Sequence, residues 1–431
     1  MIEKFNVRRN VITAMAAFGT NLVLVFMSYR LVITVGGLEA LGLWSSLMAW
    51  IFLIRLGDVG MATATVRFVA RCDIQQEGPR VRSYVDTALL INLALFTLLS
   101  LLGYGLFSAN LSHIVPGSTE AQVTAQSILP LLFVGFLVSN ISGLVLGGLT
   151  GLHRGYQAAL LGIVGSIVQL GVVLWGVPRL GLAGLAWGLI CQHLVMIVSG
   201  WTLFILTMRR ETAQPGALLP VQFSKTALRE MLSFSLKTQF ANLLNGLFEP
   251  LSKILIGRGS GLEILGLFEL AYKVVALPRN AIVSGVQATV PSMTRLLVED
   301  RTEARKLFNA SERRLMRASL VLSSLVVLAL PAASWVVLGR LDMTLWIFTG
   351  LLAIGFLGNS TGAVAYVLCI ASGRAGLLIL SSVAALAMVA VFVVLGGLLG
   401  GVIGSVAGVA LSLAGGGLIV RYLGQRIWEH S

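Results

Sequence analysis

Twelve apolar segments of bilayer-crossing length decide what this chain can fold into. They run at about 10–33, 41–66, 84–107, 123–149, 156–177, 182–208, 231–257, 264–291, 315–338, 344–370, 376–397 and 402–423. Roughly 20 consecutive apolar residues cross the hydrocarbon core as a helix, and a helix satisfies its own backbone polar groups there. Only 11% of the 431 residues are charged and 57% are hydrophobic, where soluble domains carry roughly 25% charged residues. The chain therefore reads as an all-α polytopic membrane protein with 12 transmembrane helices.

The net charge of +13 follows topology rather than forming a nucleic-acid footprint. With the N-terminus inside, Arg67, Arg71, Arg80, Arg154, Arg209 and Arg210 join most other cations in one set of loops. The opposite side holds Arg179, Arg258, Arg340 and Arg30. This asymmetry predicts a multi-pass membrane protein with both termini cytoplasmic. Membrane lipids with anionic headgroups suit the basic loops, and no nucleic acid is expected. The basic start MIEKFNVRRN leads into a full-length span without a small-residue cleavage site, so it is read as a span rather than a cleaved leader. Three scattered cysteines and four scattered histidines predict no metal site, disulfide or cofactor.

The chain is also written twice. Residues 37–44 read GLEALGLW, and residues 261–268 read GLEILGLF, 224 positions later. Ungapped, the offset gives 13 identities in 35 positions to residue 71, pairing Arg55 with Arg279 and Arg71 with Arg295. GLAGLAWG at 181–188 matches GVIGSVAG at 401–408 with an offset of 220, which also pairs Arg154 with Arg374. Each half holds six spans, an even number, so both lobes share one orientation and are expected to be related by a pseudo-twofold axis along the membrane normal. The expected lobes are 1–208 and 231–431, joined by a polar cytoplasmic linker, 209–230, that contains Pro215, Gly216 and Pro220. The basic stretch 292–314 predicts a surface helix with i,i+4 pairs. Loops on the other side are short and carry no catalytic cluster, which argues against an enzyme.

Ions inside the spans are costly, by about 2.5–3.5 kcal/mol or more at the bilayer centre. Arg55 and Arg279 lie near the centres of apolar segments. Arg55 and Asp58 are spaced i,i+3; Glu249 and Lys253, and Glu269 and Lys273, are spaced i,i+4. Such spacings place partners on one helix face, and mutual neutralisation between packed helices would explain the three pairs. Arg279 has no acidic neighbour on its own helix, and neither has Arg30, which can snorkel to the headgroups. Six cations (Arg30, Arg55, Lys253, Arg258, Lys273 and Arg279) against four anions (Asp58, Glu249, Glu269, and Glu263 near the outer end) leave the core positive. Arginine donates two hydrogen bonds to phosphate at once, so a cavity bearing Arg55, Arg279, Arg30, Lys253 and Lys273 favours an anionic, phosphate-bearing substrate. Asp58, Glu249 and Glu269 are the candidates for proton or sodium coupling. Pro250 and Pro278 beside these charges predict hinges, and rows such as Gly184/Gly188 and Gly400/Gly404/Gly408 predict close helix packing.

The twelve spans in two lobes, GLEALGLW, the LGDVGMATATVRFVAR run at 56–71 and the GLAGLAWG opening of the sixth span resemble the polysaccharide transporter family. These are the O-antigen (Wzx-type) flippases of the multidrug/oligosaccharidyl-lipid/polysaccharide (MOP) superfamily. The resemblance implies a V-shaped, cation-lined cavity alternating between leaflets and an undecaprenyl-diphosphate-linked oligosaccharide as substrate. It further implies a polysaccharide polymerase and chain-length regulator as partners. The alternative is a multidrug or small-molecule cation antiporter of the MATE type, for which acidic residues should dominate the cavity.

Overall fold

The computed structural model describes residues 7–212, 218–287 and 289–429. Among them the chain is helical, with short connections and no strand. In the first half, α1 (Val7–Ile54) leads through a 3-10 turn (Arg55–Gly57) to α2 (Met61–Val69). It is followed by α3 (Ile74–Ala109), the short α4 (Leu111–Ile114), α5 (Thr119–Gly151), α6 (Gly155–Leu180) and α7 (Leu182–Thr212). The second half comprises α8 (Lys225–Gly246), α9 (Phe248–Gln287), α10 (Val290–Glu299), α11 (Arg301–Leu338), α12 (Met343–Ser360), α13 (Ala363–Ala371) and α14 (Ala375–Glu429).

Three of these helices are two crossings joined at a glycine kink: α1 at Gly37, α9 at Gly261 and α14 at Gly400–Gly401. Counting each arm, and α8 with the first arm of α9 as one, gives the expected six crossings per half. Eight stretches qualify as spans on length and apolarity alone. The lower number has two causes: the kinked α1 and α14 each hold two crossings, and the ionic residues of α9 lower its apolarity. The chain is a multi-pass membrane protein.

The repeat is visible element by element. Gly37 and Gly261 both have positive φ, as do the α6–α7 turn residue Gly181 and its counterpart Gly401, each at 57°. Just beyond those turns the predicted glycine packing appears. A Cβ on Gly184 would lie 2.4 Å from the Gly176 carbonyl carbon, and one on Gly404 would lie 2.0 Å from the Gly396 oxygen. The bare backbones let each hairpin close.

Internal contacts divide the chain into two compact units. The first is Met1–Val35 with Ile54–Phe240, and the second is Gly36–Leu53 with Ala241–Ser431. The first unit buries a core of α2, α3, α5, α7 and α8 side chains, among them Met61, Tyr84, Leu144, Phe204 and Met231. The second buries the corresponding set from α10, α11, α13 and α14, including Met293, Phe308, Val364, Leu368 and Ile427. In that unit the second arm of α1 crosses the second arm of α9 reciprocally. A Cβ on Gly42 would lie 1.8 Å from the Leu262 oxygen, and one on Gly266 would lie 2.2 Å from the Leu38 oxygen. Gly42→Ala or Gly266→Ala is therefore expected to force the backbones apart, at the roughly 1–3 kcal/mol typical of overpacking. A lowered melting temperature of the purified protein in detergent checks this; an unchanged one would show that the crossing yields.

Part of the linker is held tightly. Pro215 and Gly216 lie outside the described residues, but residues 218–224 are stitched to α3 and α7. The Asp86 carboxylate accepts from the Val221 and Gln222 amides at 3.2 and 3.3 Å, and Thr87 Oγ1 accepts from the Ser224 amide at 3.0 Å. Arg82, on α3, is buried. It pairs with Asp86 at 2.7 Å and donates to the Leu219 carbonyl at 2.7 Å. The predicted surface helix is present as α10 and the start of α11, with Arg295–Glu299 and Lys306–Glu303 pairs. Asp300 caps α11 by accepting from the Thr302 and Glu303 amides.

Candidate functional site

Two features of the second unit concentrate its polar chemistry: a four-charge ring and a cavity beside it. The ring follows from the hairpin of α9. Gly261, with φ 84°, takes a left-handed conformation open to glycine without strain. It folds the two arms of α9 against each other. Lys253 and Glu269 stand eight residues either side of Gly261, and Glu249 and Lys273 stand twelve either side, so the hairpin brings opposite charges together. Lys253 Nζ lies 2.6 Å from Glu249 and 2.7 Å from Glu269. Lys273 Nζ lies 2.7 Å from Glu249 and 4.0 Å from Glu269. Ser45, the repeat counterpart of Glu269, donates its hydroxyl to that carboxylate at 2.7 Å. The i,i+4 pairs read from sequence are thus half of a closed, neutral ring.

The cavity, about 410 Å³, is lined by α8, α9, α12, α13 and α14. Glu249 forms one part of its wall and Arg279 another, with Tyr272 on the wall as well. The Arg279 guanidinium donates to Asn359 Oδ1 at 2.5 Å and to Asn280 Oδ1 at 3.3 Å, and sits 5.8 Å from the centre of the Phe356 ring. Its Nε is buried without a hydrogen-bond partner. Among the described residues no carboxylate pairs with Arg279 within 4.0 Å, so the arginine without an acidic neighbour in sequence has none in the fold either. The remaining polar lining is neutral amide and hydroxyl: Asn245, Gln287, Ser382, Ser412 and Tyr366.

The first unit carries the counterpart of the arginine. Arg55 donates to Asn140 Oδ1 at 3.4 Å, so each half pairs its arginine with an asparagine at equivalent places, Asn140 and Asn359. The environment of Arg55 differs from the expected helix centre. α1 stops at Ile54, the 3-10 turn Arg55–Gly57 follows, and Gly60 takes a left-handed φ of 74° before α2 begins. Asp58 is the extended C-cap of that turn, with its amide donating to the Arg55 carbonyl. Its carboxylate accepts from the Gly60 amide at 2.8 Å, closing the turn. Arg30 is exposed on the first arm of α1, where its carbonyl accepts the Thr34 hydroxyl.

The structure thus gathers Lys253, Lys273, Glu249, Glu269 and Arg279 in the second unit, and places Arg30, Arg55 and Asp58 in the first. Sequence reasoning missed Asn140, Asn359 and Ser45. A signal for the asparagines exists: Asn140-Ile-Ser-Gly143 and Asn359-Ser-Thr-Gly362 repeat the pattern N-x-S/T-G. Pro250 lies in the first turn of α9, three residues beyond the break at Leu247, whereas α9 continues through Pro278.

Fold and sequence comparisons agree on the class. The fold is that of the MOP-superfamily transporters. An inward-facing multidrug resistance MATE family transporter of that superfamily superposes with a TM-score of 0.77 at 14% identity, over 97% of this chain and 98% of that one. An outward-facing structure of a MATE family transporter gives 0.69 at 16% identity, over 98% and 95%. A MOP superfamily transporter from Pyrococcus furiosus, described as having a binding pocket of reverse polarity that suggests a different function, gives 0.70 at 15% identity, over 98% and 95%. Residues 155–340 match the family model described as polysaccharide biosynthesis protein. With the fold, that match bears out the resemblance to the polysaccharide transporters of the MOP superfamily. The search of curated proteins finds no match.

Proposed function

We propose that this protein is a flippase, not an enzyme. It moves an undecaprenyl-diphosphate-linked oligosaccharide from the cytoplasmic to the periplasmic leaflet of the bacterial inner membrane for surface polysaccharide synthesis. The observation that carries the reading is Arg279: a half-buried guanidinium on a cavity wall, held by neutral amides and, among the described residues, without a carboxylate partner. A planar guanidinium suits a diphosphate. The amide, hydroxyl and tyrosine lining suits sugar hydroxyls, and the polyprenyl tail can stay in the bilayer. Alternating access in such folds is largely rocking of one repeat against the other. Arg55, held by Asn140 as Arg279 is by Asn359, serves as the matching cation of the first half. A polysaccharide polymerase and chain-length regulator would receive the product, and both termini would be cytoplasmic.

The test is binding of the purified protein to undecaprenyl diphosphate and to a polyprenyl-diphosphate sugar, in wild type and in Arg55→Ala/Arg279→Ala. Diphosphate-dependent binding lost in the double variant supports the reading. Absent binding, together with binding of an organic cation, replaces it with the antiporter reading and makes both arginines structural.

A further inference from the structure

The ring in α9 has the composition of a small-cation site already filled by the protein. Two carboxylates, Glu249 and Glu269, face each other across the hairpin with the Ser45 hydroxyl beside them. Hard cations take oxygen ligands of this kind. Between the carboxylates lie two ammonium groups, each bridging both arms: Lys253 at 2.6 and 2.7 Å, Lys273 at 2.7 and 4.0 Å. Lys253 and Glu269 are almost fully buried, with side-chain exposures of 7% and 3%, while Lys273 and Glu249 are more open at 22% and 32%. A tethered ammonium carries its own high effective concentration, so a free ion would have to displace it and leave it unpaired in a dry site.

We propose that Lys253 and Lys273 act as built-in counter-cations that occupy a two-carboxylate site in place of an alkali ion. The wild-type ring then binds no sodium, and removing Lys273, the more accessible of the two, opens a sodium site formed by Glu249, Glu269 and Ser45. The consequence for transport, that sodium coupling does not run through Glu249 or Glu269, rests on the flippase reading. The ion binding itself does not, so either can fail alone.

The test is thermal unfolding of the purified protein in NaCl, LiCl, KCl and choline chloride at equal ionic strength. A ligand that binds only the folded state raises its melting temperature with concentration. Wild type is expected to melt at the same temperature in all four salts. Lys273→Met is expected to show a saturable rise of several degrees specific to sodium or lithium. Glu249→Gln/Lys273→Met, which restores neutrality with one carboxylate, is expected to fold and to show none. Sodium-specific stabilisation of wild type overturns the proposal, as does a folded Lys273→Met without any such rise. If Lys273→Met fails to fold in every salt while the double variant folds, no free ion can replace the ammonium, and the proposal also falls.

Discussion

Arg279→Ala is expected to insert and fold, and to lose transport of a lipid-linked glycan. The guanidinium bears two neutral amide partners and, among the described residues, no acid, so its removal strands no described carboxylate. What it takes away is the one cation of the cavity wall without a carboxylate partner among the described residues. Each hydrogen bond to a charged group is worth about 1.5–3 kcal/mol, so losing one such bond to a diphosphate weakens headgroup binding roughly ten- to hundredfold. Arg279→Lys keeps the charge but not the planar fork, and should recover only part of it. Surface-glycan export in cells lacking their own copy of the protein, read beside diphosphate binding, measures both. Undiminished export in Arg279→Ala and Arg55→Ala alike would remove the cavity assignment. Arg55, exposed at a helix break and more loosely held at 3.4 Å, should cost less stability when replaced.

The second large effect is on stability. Lys253 is nearly buried and bridges two carboxylates at 2.6 and 2.7 Å. Lys253→Met takes from the buried Glu269 carboxylate its 2.7 Å ammonium partner, leaving the Ser45 hydroxyl at 2.7 Å and Lys273 at 4.0 Å beside it. Breaking a buried ion pair by deleting one member costs about 3–5 kcal/mol. The expected outcome is a sharp loss of thermal stability in detergent. Much of it should return in Lys253→Met/Glu269→Gln, where the charge is balanced again. The double-mutant cycle gives the coupling directly, and strictly additive effects would show that the ring is not a unit. Lys273→Met, at the open side with one contact of 4.0 Å, should cost less.

Most of the helical plan is readable without coordinates, because apolar length and the repeat locate the crossings; that Gly37, Gly261 and Gly401 turn the chain between arms shows only in their positive φ. The ring was half readable. Helix spacing gives each i,i+4 pair, but the cross-pairing needs the mirror placement of 249/273 and 253/269 about Gly261, which matters only once that glycine is known to turn the chain back. The break at Arg55 was not read. The apolar pattern runs on through Gly57-Asp58-Val59-Gly60, and hydropathy has no term for a glycine that leaves the helical region. The burial of Arg82 was not read either: counting basic residues by loop ignores an acid one turn away that lets a cation be buried. The asparagines escaped because neutral amides carry no charge to mark them, although their repeated motif does.

The contact between Ser45 and Glu269 bears on how such a chain could arise. The two residues are counterparts in the repeat, 224 positions apart, and they touch beside a crossing in which Gly42 and Gly266 also meet their own counterparts. A half-length chain pairing with an identical copy through this surface would set residue 45 against itself, as an isologous interface requires. Two serines there would leave Lys253 short of a partner, and two glutamates would repel. A donor on one side and a carboxylate on the other is an arrangement that perfect symmetry forbids. Divergence of the two copies lifted that prohibition, so the asymmetric ring is a property that a pair of identical halves could not have held.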